Sequence, residues 1–225
     1  IEAAAHTAKE KGKNGWIITL QAPSYVPFMK YSENRELRRK LYMAYNTQCI
    51  HDNEQNNEDV VKQLVNLRMQ LAQLLGFKNY ADYALRKRMA ENSERVYQLL
   101  DQLLEAYTST AREEVKEIEA LAQRTEGKDF QLMPWDFSYY AEKLKNEKFN
   151  LDEEALRPYF ELSRVKEGVF GLATRLYGVS FKENKDIPVY HPDVQAYEVF
   201  DRDGSFLAVL YTDFHPREGK RSGAW

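Results

Sequence analysis

Ala173-Thr174-Arg175-Leu176-Tyr177-Gly178-Val179-Ser180-Phe181 is where the grammar of this chain changes. Upstream, apolar residues recur every three or four positions. Val165, Val169, Phe170, Ala173 and Leu176 share one helical face, Ser163 stands where an N-cap belongs, and Gly178 stands where a left-handed C-cap ends a helix. Downstream the period falls to two. Val179–Phe181 and Ile187–Tyr190 read as extended, and Tyr197–Asp201 and Phe206–Thr212 alternate around the turn Asp201-Arg202-Asp203-Gly204. The boundary divides the sequence into a predominantly helical part, 1–178, and a small antiparallel sheet region, 179–225. The fold class is mainly α with a β end, and not a βαβ array.

Working back toward the N-terminus, the helical period persists. Trp135-Asp136-Phe137-Ser138-Tyr139-Tyr140 is an aromatic cluster read as core, with Asp136 as an N-cap; a cleft wall is the alternative. Leu151–Phe160 predicts a short helical piece stopped near Pro158. Ser93 caps a very long helix whose apolar face runs Val96, Leu99, Leu100, Leu103, Leu104, Tyr107, Val115, Ile118 and Leu121, closed by Gly127. Some 30 residues at 1.5 Å each reach about 45 Å. Asn79–Met89 predicts a helix. So does the stripe Val61, Leu64, Val65, Leu71, Ala72 and Leu75, ended by Gly76. Ser32 is the expected cap of a helix reaching Cys49. Trp16–Leu20 is β-branched after Gly15 and reads as a strand, with Pro23 and Pro27 opposing a long helix beyond it.

Composition excludes several classes. Thirty-two basic residues against 35 acidic give a net charge of −3, which argues against a nucleic-acid surface. No apolar run approaches the roughly 20 residues of a membrane span. A single cysteine, Cys49, forms no internal disulfide and no multi-cysteine zinc site, and fits a cytoplasmic location. It reads as a small core residue. The four histidines, His6, His51, His191 and His215, contain no H-E-x-x-H and no pair three or four apart. They read as hydrogen-bonded loop residues, with a metal pair of His191 and His215 beside Asp193 or Asp213 as the alternative. The carboxylates Glu113, Glu114, Glu117, Glu119, Glu153 and Glu154 read as solvated helix faces rather than an acid–base pair. Gly12-Lys13-Asn14-Gly15 is a turn and no phosphate loop.

The most distinctive stretch is Asp213-Phe214-His215-Pro216-Arg217-Glu218-Gly219-Lys220-Arg221-Ser222-Gly223-Ala224-Trp225. Together with Ile187-Pro188-Val189-Tyr190-His191-Pro192-Asp193-Val194, Glu198, Phe200-Asp201, Gly204, Leu207-Ala208 and Tyr211, it resembles the M3 family of zinc metallopeptidases. The resemblance continues through Leu75-Gly76-Phe77, Asn79-Tyr80-Ala81, Trp135-Asp136, Tyr140-Ala141-Glu142, Leu156-Arg157-Pro158-Tyr159-Phe160 and Glu167-Gly168-Val169-Phe170. Within that family the bacterial peptidyl-dipeptidases are most similar.

This resemblance implies a long-helix, neurolysin-like fold around a cleft, one zinc ion, and hydrolysis of short peptides with release of C-terminal dipeptides. In the family the H-E-F-G-H motif lies downstream of the G-A-W segment. The expectation is therefore a segment upstream of the zinc motif, with no catalytic or metal residue of its own and inactive alone. Zinc would belong to the full-length parent, and none is expected here. Its partners would be short peptides and the missing C-terminal half of the catalytic region. Substrate-facing residues are expected at Tyr211, Arg217, Lys220, Gly223, Ala224 and Trp225, where strand backbone, cations and small residues let a peptide approach. The competing readings are strands that only pack under the active-site helix, a solvated basic loop, and an independent helical interaction module without catalysis.

Overall fold

The computed structural model describes residues 2–150, 153–217, 219 and 220. The chain forms two compact units that divide between Glu147 and Lys148. The helical character and the C-terminal antiparallel sheet are those the sequence predicts.

The first unit holds α1 (Glu2–Glu10), α2 (Ala22–Tyr31), α3 (Arg35–Asn46), α4 (Glu58–Leu74), α5 (Tyr80–Leu85), α6 (Ser93–Glu126) and most of α7 (Pro134–Phe149). Its core sits where the C-terminal end of α6 meets α7. Ile118, Leu121, Ala122, Tyr139 and Tyr140 are buried there, with Phe130, Leu132, Ala141 and Leu144 packed around them. The Tyr140 hydroxyl donates to Glu126 Oε1 at 2.8 Å, which satisfies the one polar atom of a buried ring. Burial, reinforced by that hydrogen bond, raises the Tyr140 hydroxyl far above its ordinary value.

An ion cluster closes α2 and α3 onto α7. Arg38 and Asp136 are both buried, and Arg38 Nη2 donates to Asp136 Oδ1 at 2.9 Å. Arg35 adds donations to both Asp136 oxygens, the shortest 2.7 Å. The other Arg38 donors go to the carbonyls of Ser32 (2.7 Å), Glu33 (3.2 Å) and Trp135 (3.2 Å). The Ser32 and Glu33 carbonyls lie just past the end of α2, where carbonyls lack helical partners, and the Trp135 carbonyl is in the first turn of α7. Asp136 also accepts from the Met133 N–H at 3.1 Å. It is thus a first-turn residue reaching back toward its cap position, not the N-cap itself, because α7 begins at Pro134.

Local chemistry explains the other departures from expectation. Trp16–Leu20 joins no sheet; Ile17 N–H bonds the Ala4 carbonyl and Thr19 N–H bonds Ser24 Oγ, so α1 and the start of α2 take its backbone groups. Pro23 enters α2 at its first turn, where a missing N–H costs little, and Pro27 lies inside the same helix. Asn34 rather than Ser32 caps α3, its side chain accepting from Leu37 N–H, and Ser32 instead ends α2. Helix α3 stops at Asn46, so Cys49 is exposed in a loop at φ 61°, not in the core. Asn79 and Asn92 cap α5 and α6 by the same side-chain acceptance. Ser93, the expected cap, instead donates to Asp82. In each case the asparagine is the extended residue directly before the helix, so its side-chain carbonyl accepts from the third helical amide. Gly76 does end α4: at φ 82° it carries the pair Phe77 N to Ala72 O and Gly76 N to Gln73 O.

The second unit holds α8 (Glu153–Leu156), a 3₁₀ turn (Arg157–Tyr159), α9 (Leu162–Tyr177), β1 (Ser180–Glu183), β2 (Gln195–Phe200) and β3 (Phe206–Thr212). Gly178 is the left-handed cap of α9, at φ 80°. No side-chain cap at Ser163 is used, since Glu161 precedes the helix. The sheet is antiparallel in the order β1-β2-β3, with a register shift between Val199 and Phe200 before the turn. Ile187–Tyr190 forms no strand and lies in the loop joining β1 to β2. Phe170 of α9 stacks on Phe181 at 4.2 Å and meets Tyr197 edge-on at 5.1 Å. Lys166 donates to Gln195 (3.0 Å) and to the Tyr197 hydroxyl (2.8 Å). Helix α9 thus covers one sheet face, yet Val165, Val169 and Leu176, expected inward, are exposed.

Candidate functional site

Strand β3 is an edge. On one side it pairs with β2, from Gln195 with Thr212 to Phe200 with Phe206. Among the described residues no strand pairs with its other side. Phe206, Leu207, Val209 and Tyr211 are exposed along it. A seven-residue strand with one free row of N–H and C=O groups is the element that accepts an extended peptide. Side chains alternate across a strand. The register sets Ala208 and Leu210 opposite Val199 and Tyr197, on the face that α9 covers, so Val209 and Tyr211 project on the other.

Past β3 the loop is fastened by its own charges. Arg217 donates to both oxygens of Asp213, at 2.8 Å each, the fork geometry of a bidentate pair. Lys220 Nζ lies 3.0 Å from Asp213 Oδ1 and also donates to the carbonyls of Asp213 (2.6 Å) and His215 (2.9 Å). Tyr190 donates its hydroxyl to Asp213 Oδ2 at 3.0 Å, bringing the β1–β2 loop to the same carboxylate. The Arg217 guanidinium lies 5.9 Å from the Tyr190 ring centre. Arg217 and Lys220 are therefore half-buried and ion-paired, not a solvated basic loop. The sequence marked both cations but not Asp213 as their organiser. An aspartate four and seven residues before an Arg and a Lys was the available signal. Tyr211 approaches the same place, its hydroxyl 3.4 Å from the Pro188 carbonyl. Thr212 Oγ1, buried at the end of β3, has no hydrogen-bond partner among the described residues. Gly223, Ala224 and Trp225 lie outside the described residues, as does Arg221.

The electrostatics fix the clamp's working range. The Arg217 guanidinium, helped by Lys220 and Tyr190, holds the Asp213 carboxyl well below the usual carboxylate range. Its hydrogen bond to Asp213 raises the Tyr190 hydroxyl above the ordinary tyrosine value. A depressed carboxylate contributes stability above its unfolded pKa of about 3.9 and loses it as pH falls through the lower folded value. A raised tyrosine contributes below about pH 10 and loses it as pH rises through the higher folded value. The clamp is thus expected intact from about pH 5 to 9. An ultraviolet titration of the chain against Tyr190→Phe should place Tyr190 above an ordinary tyrosine; a midpoint at or below the ordinary value contradicts the bond.

His191 and His215 do not build a metal centre with the acids around them. His191 Nδ1 sits 3.7 Å from Asp193 Oδ2 and accepts from the Asp193 N–H. Among the described residues no three or more His, Cys, Asp or Glu side chains converge as metal ligands. Also among those residues, no helix is long and apolar enough to cross a membrane.

Comparison with known proteins adds the following. The sequence profile of Peptidase family M3 matches residues 28–225. The chain is 38% identical over 229 residues to "Oligopeptidase A" of Escherichia coli (strain K12), covering 100% of this chain and 34% of that protein. It is 40% identical over 227 residues to "Dipeptidyl carboxypeptidase" of the same organism, covering 100% and 33%. It is 35% identical over 213 residues to "Probable cytosolic oligopeptidase A" of Arabidopsis thaliana, covering 93% and 30%. The chain spans about a third of the length of the curated relatives it matches.

Proposed function

Since the chain belongs to peptidase family M3, we propose that it serves as the substrate-facing wall of a longer peptidase that cleaves short peptides. The observation that carries this is the outer edge of the seven-residue β3, which pairs with no strand among the described residues and leads straight into the Asp213 clamp. An extended peptide adds to such an edge through its backbone, which accepts many sequences, while alternate side chains meet the exposed Val209 and Tyr211. A protein called a dipeptidyl carboxypeptidase is among the relatives, and release of C-terminal dipeptides is the finer activity we propose. Arg217 and Lys220 then stand where a peptide's terminal carboxylate arrives, their donors divided between it and Asp213. Gly223, Ala224 and Trp225 are proposed as substrate-facing with them.

Zinc, the metal this family implies, does not fit the donors described in this chain, whose histidines and acids do not converge. We place it elsewhere in the longer protein, and the chain alone is proposed to be inactive. Binding and orientation are what these residues supply. The single cysteine and the cytosolic relative support a cytoplasmic setting.

The test is a pair of proline substitutions, Ala208→Pro and Val209→Pro, in the longer protein. Alternate residues of an edge strand aim their N–H inward and outward, so one proline breaks the β2 ladder and the other only the free edge. The variant that keeps the native melting temperature is expected to lose tenfold or more in kcat/KM, about the worth of one or two backbone hydrogen bonds to substrate. Full kcat/KM in that variant would show that the edge binds no peptide.

A further inference from the structure

Helix α6 meets α5 at its first turn and α7 at its last turns, and among the described residues its stripe between them is open. Ile118 (6% exposed), Leu121 (7%) and Ala122 (0%) are sealed against α7. The same stripe continues toward the N-terminus with Leu99 at 57%, Leu100 at 51%, Leu103 at 41%, Leu104 at 67% and Tyr107 at 64%. At 100° per residue Leu100, Leu103, Leu104 and Tyr107 fall within the arc that holds Ile118, Leu121 and Ala122, with Leu99 about 40° beyond its edge, so this is one continuous apolar face. From Leu99 to Val115 it extends over roughly 24 Å. An apolar strip of this size on a water-soluble helix marks an interface.

We infer that this uncovered stretch of α6 is the seat of the remaining two thirds of the M3 chain, packed on it in cis. Two observations select that occupant over a second copy or an unrelated partner. The strip continues an interface already built inside this chain, that of α6 with α7. The curated relatives carry about twice as much sequence again outside the matched region. The inference rests on the proposed reading of the chain as a segment of a longer peptidase.

The test compares the 225-residue chain with the longer protein, each with and without the double substitution Leu100→Glu with Leu104→Lys. Glutamate four residues before lysine is a favourable helix pair, so α6 itself is not weakened. The expected result is a fall of at least about 5 °C in the melting temperature of the longer protein, with the 225-residue chain unchanged. Leu100→Met with Leu104→Met should restore the longer protein. An equal fall in both chains would overturn the inference, since the face would then be covered within residues 1–225. An active longer protein whose melting temperature does not move would also overturn it. So would a longer protein that sediments as a dimer broken by the charged pair, which would make the occupant a second copy. A longer protein without peptidase activity whose melting temperature still falls would sink the functional reading and leave the interface standing.

Discussion

Replacing Asp136 by Ala is expected to destabilise the first unit by about 3–5 kcal/mol, the usual cost of stranding one partner of a buried ion pair. Arg38 is left with a guanidinium 1% exposed and no carboxylate, while Arg35 loses the group that orients it. Three carbonyl acceptors remain to Arg38, which is why the loss is large without unfolding the helices themselves. Asp136→Asn keeps the acceptor that receives Met133 N–H and should fall between the two. Arg38→Met together with Asp136→Leu removes both charges and should recover much of the loss, because a buried ion pair seldom outperforms a well-packed apolar one. Urea denaturation of the four proteins checks this series. A loss below about 1 kcal/mol for Asp136→Ala would mean that water reaches the cluster.

Asp213→Ala should act on function rather than on stability. Three side chains make four hydrogen bonds to this carboxylate and its carbonyl: Arg217 two, Lys220 one and Tyr190 one. Without it, two cations face each other at the end of β3, and the chain leaves the strand in no fixed direction. A misplacement of about 1 Å at the element proposed to align peptide is worth about 100-fold in rate, and a drop of that order in kcat/KM is expected in the longer protein. The melting temperature should shift little, since the cluster lies near the surface. Asp213→Glu should recover part of the activity. Unchanged kcat/KM in Asp213→Ala would reduce the clamp to a surface ornament.

Most of this fold is legible in the sequence because periodicity reports burial directly. The long run from Ser93 to Glu126, the stop at Gly76, the cap at Gly178 and the switch into Phe206–Thr212 all follow from local rules. What was hidden depends on contacts distant in sequence. Trp16–Leu20 has the composition of a strand, but a strand needs a neighbour, and its amides go to α1 and α2 instead. Asp136 has the composition of a cap, but arginines about 100 residues earlier draw it into the core. An apolar stripe predicts which face seeks cover, not whether cover is present, so Val165, Val169 and the leucines of α6 are exposed in this chain. At the candidate site, Arg217 and Lys220 were visible as cations, but the carboxylate that commits them was not.

The pair Arg38–Asp136 joins positions 98 residues apart. Helices α4, α5 and α6 touch their neighbours in sequence, and such contacts form early. Closing a loop of that length spends chain entropy before any attraction is returned, although each doubling of length adds only about 0.6 kcal/mol. The local helices of the first unit are therefore expected to form before this long closure, leaving α2 and α3 open to a protease added early in refolding.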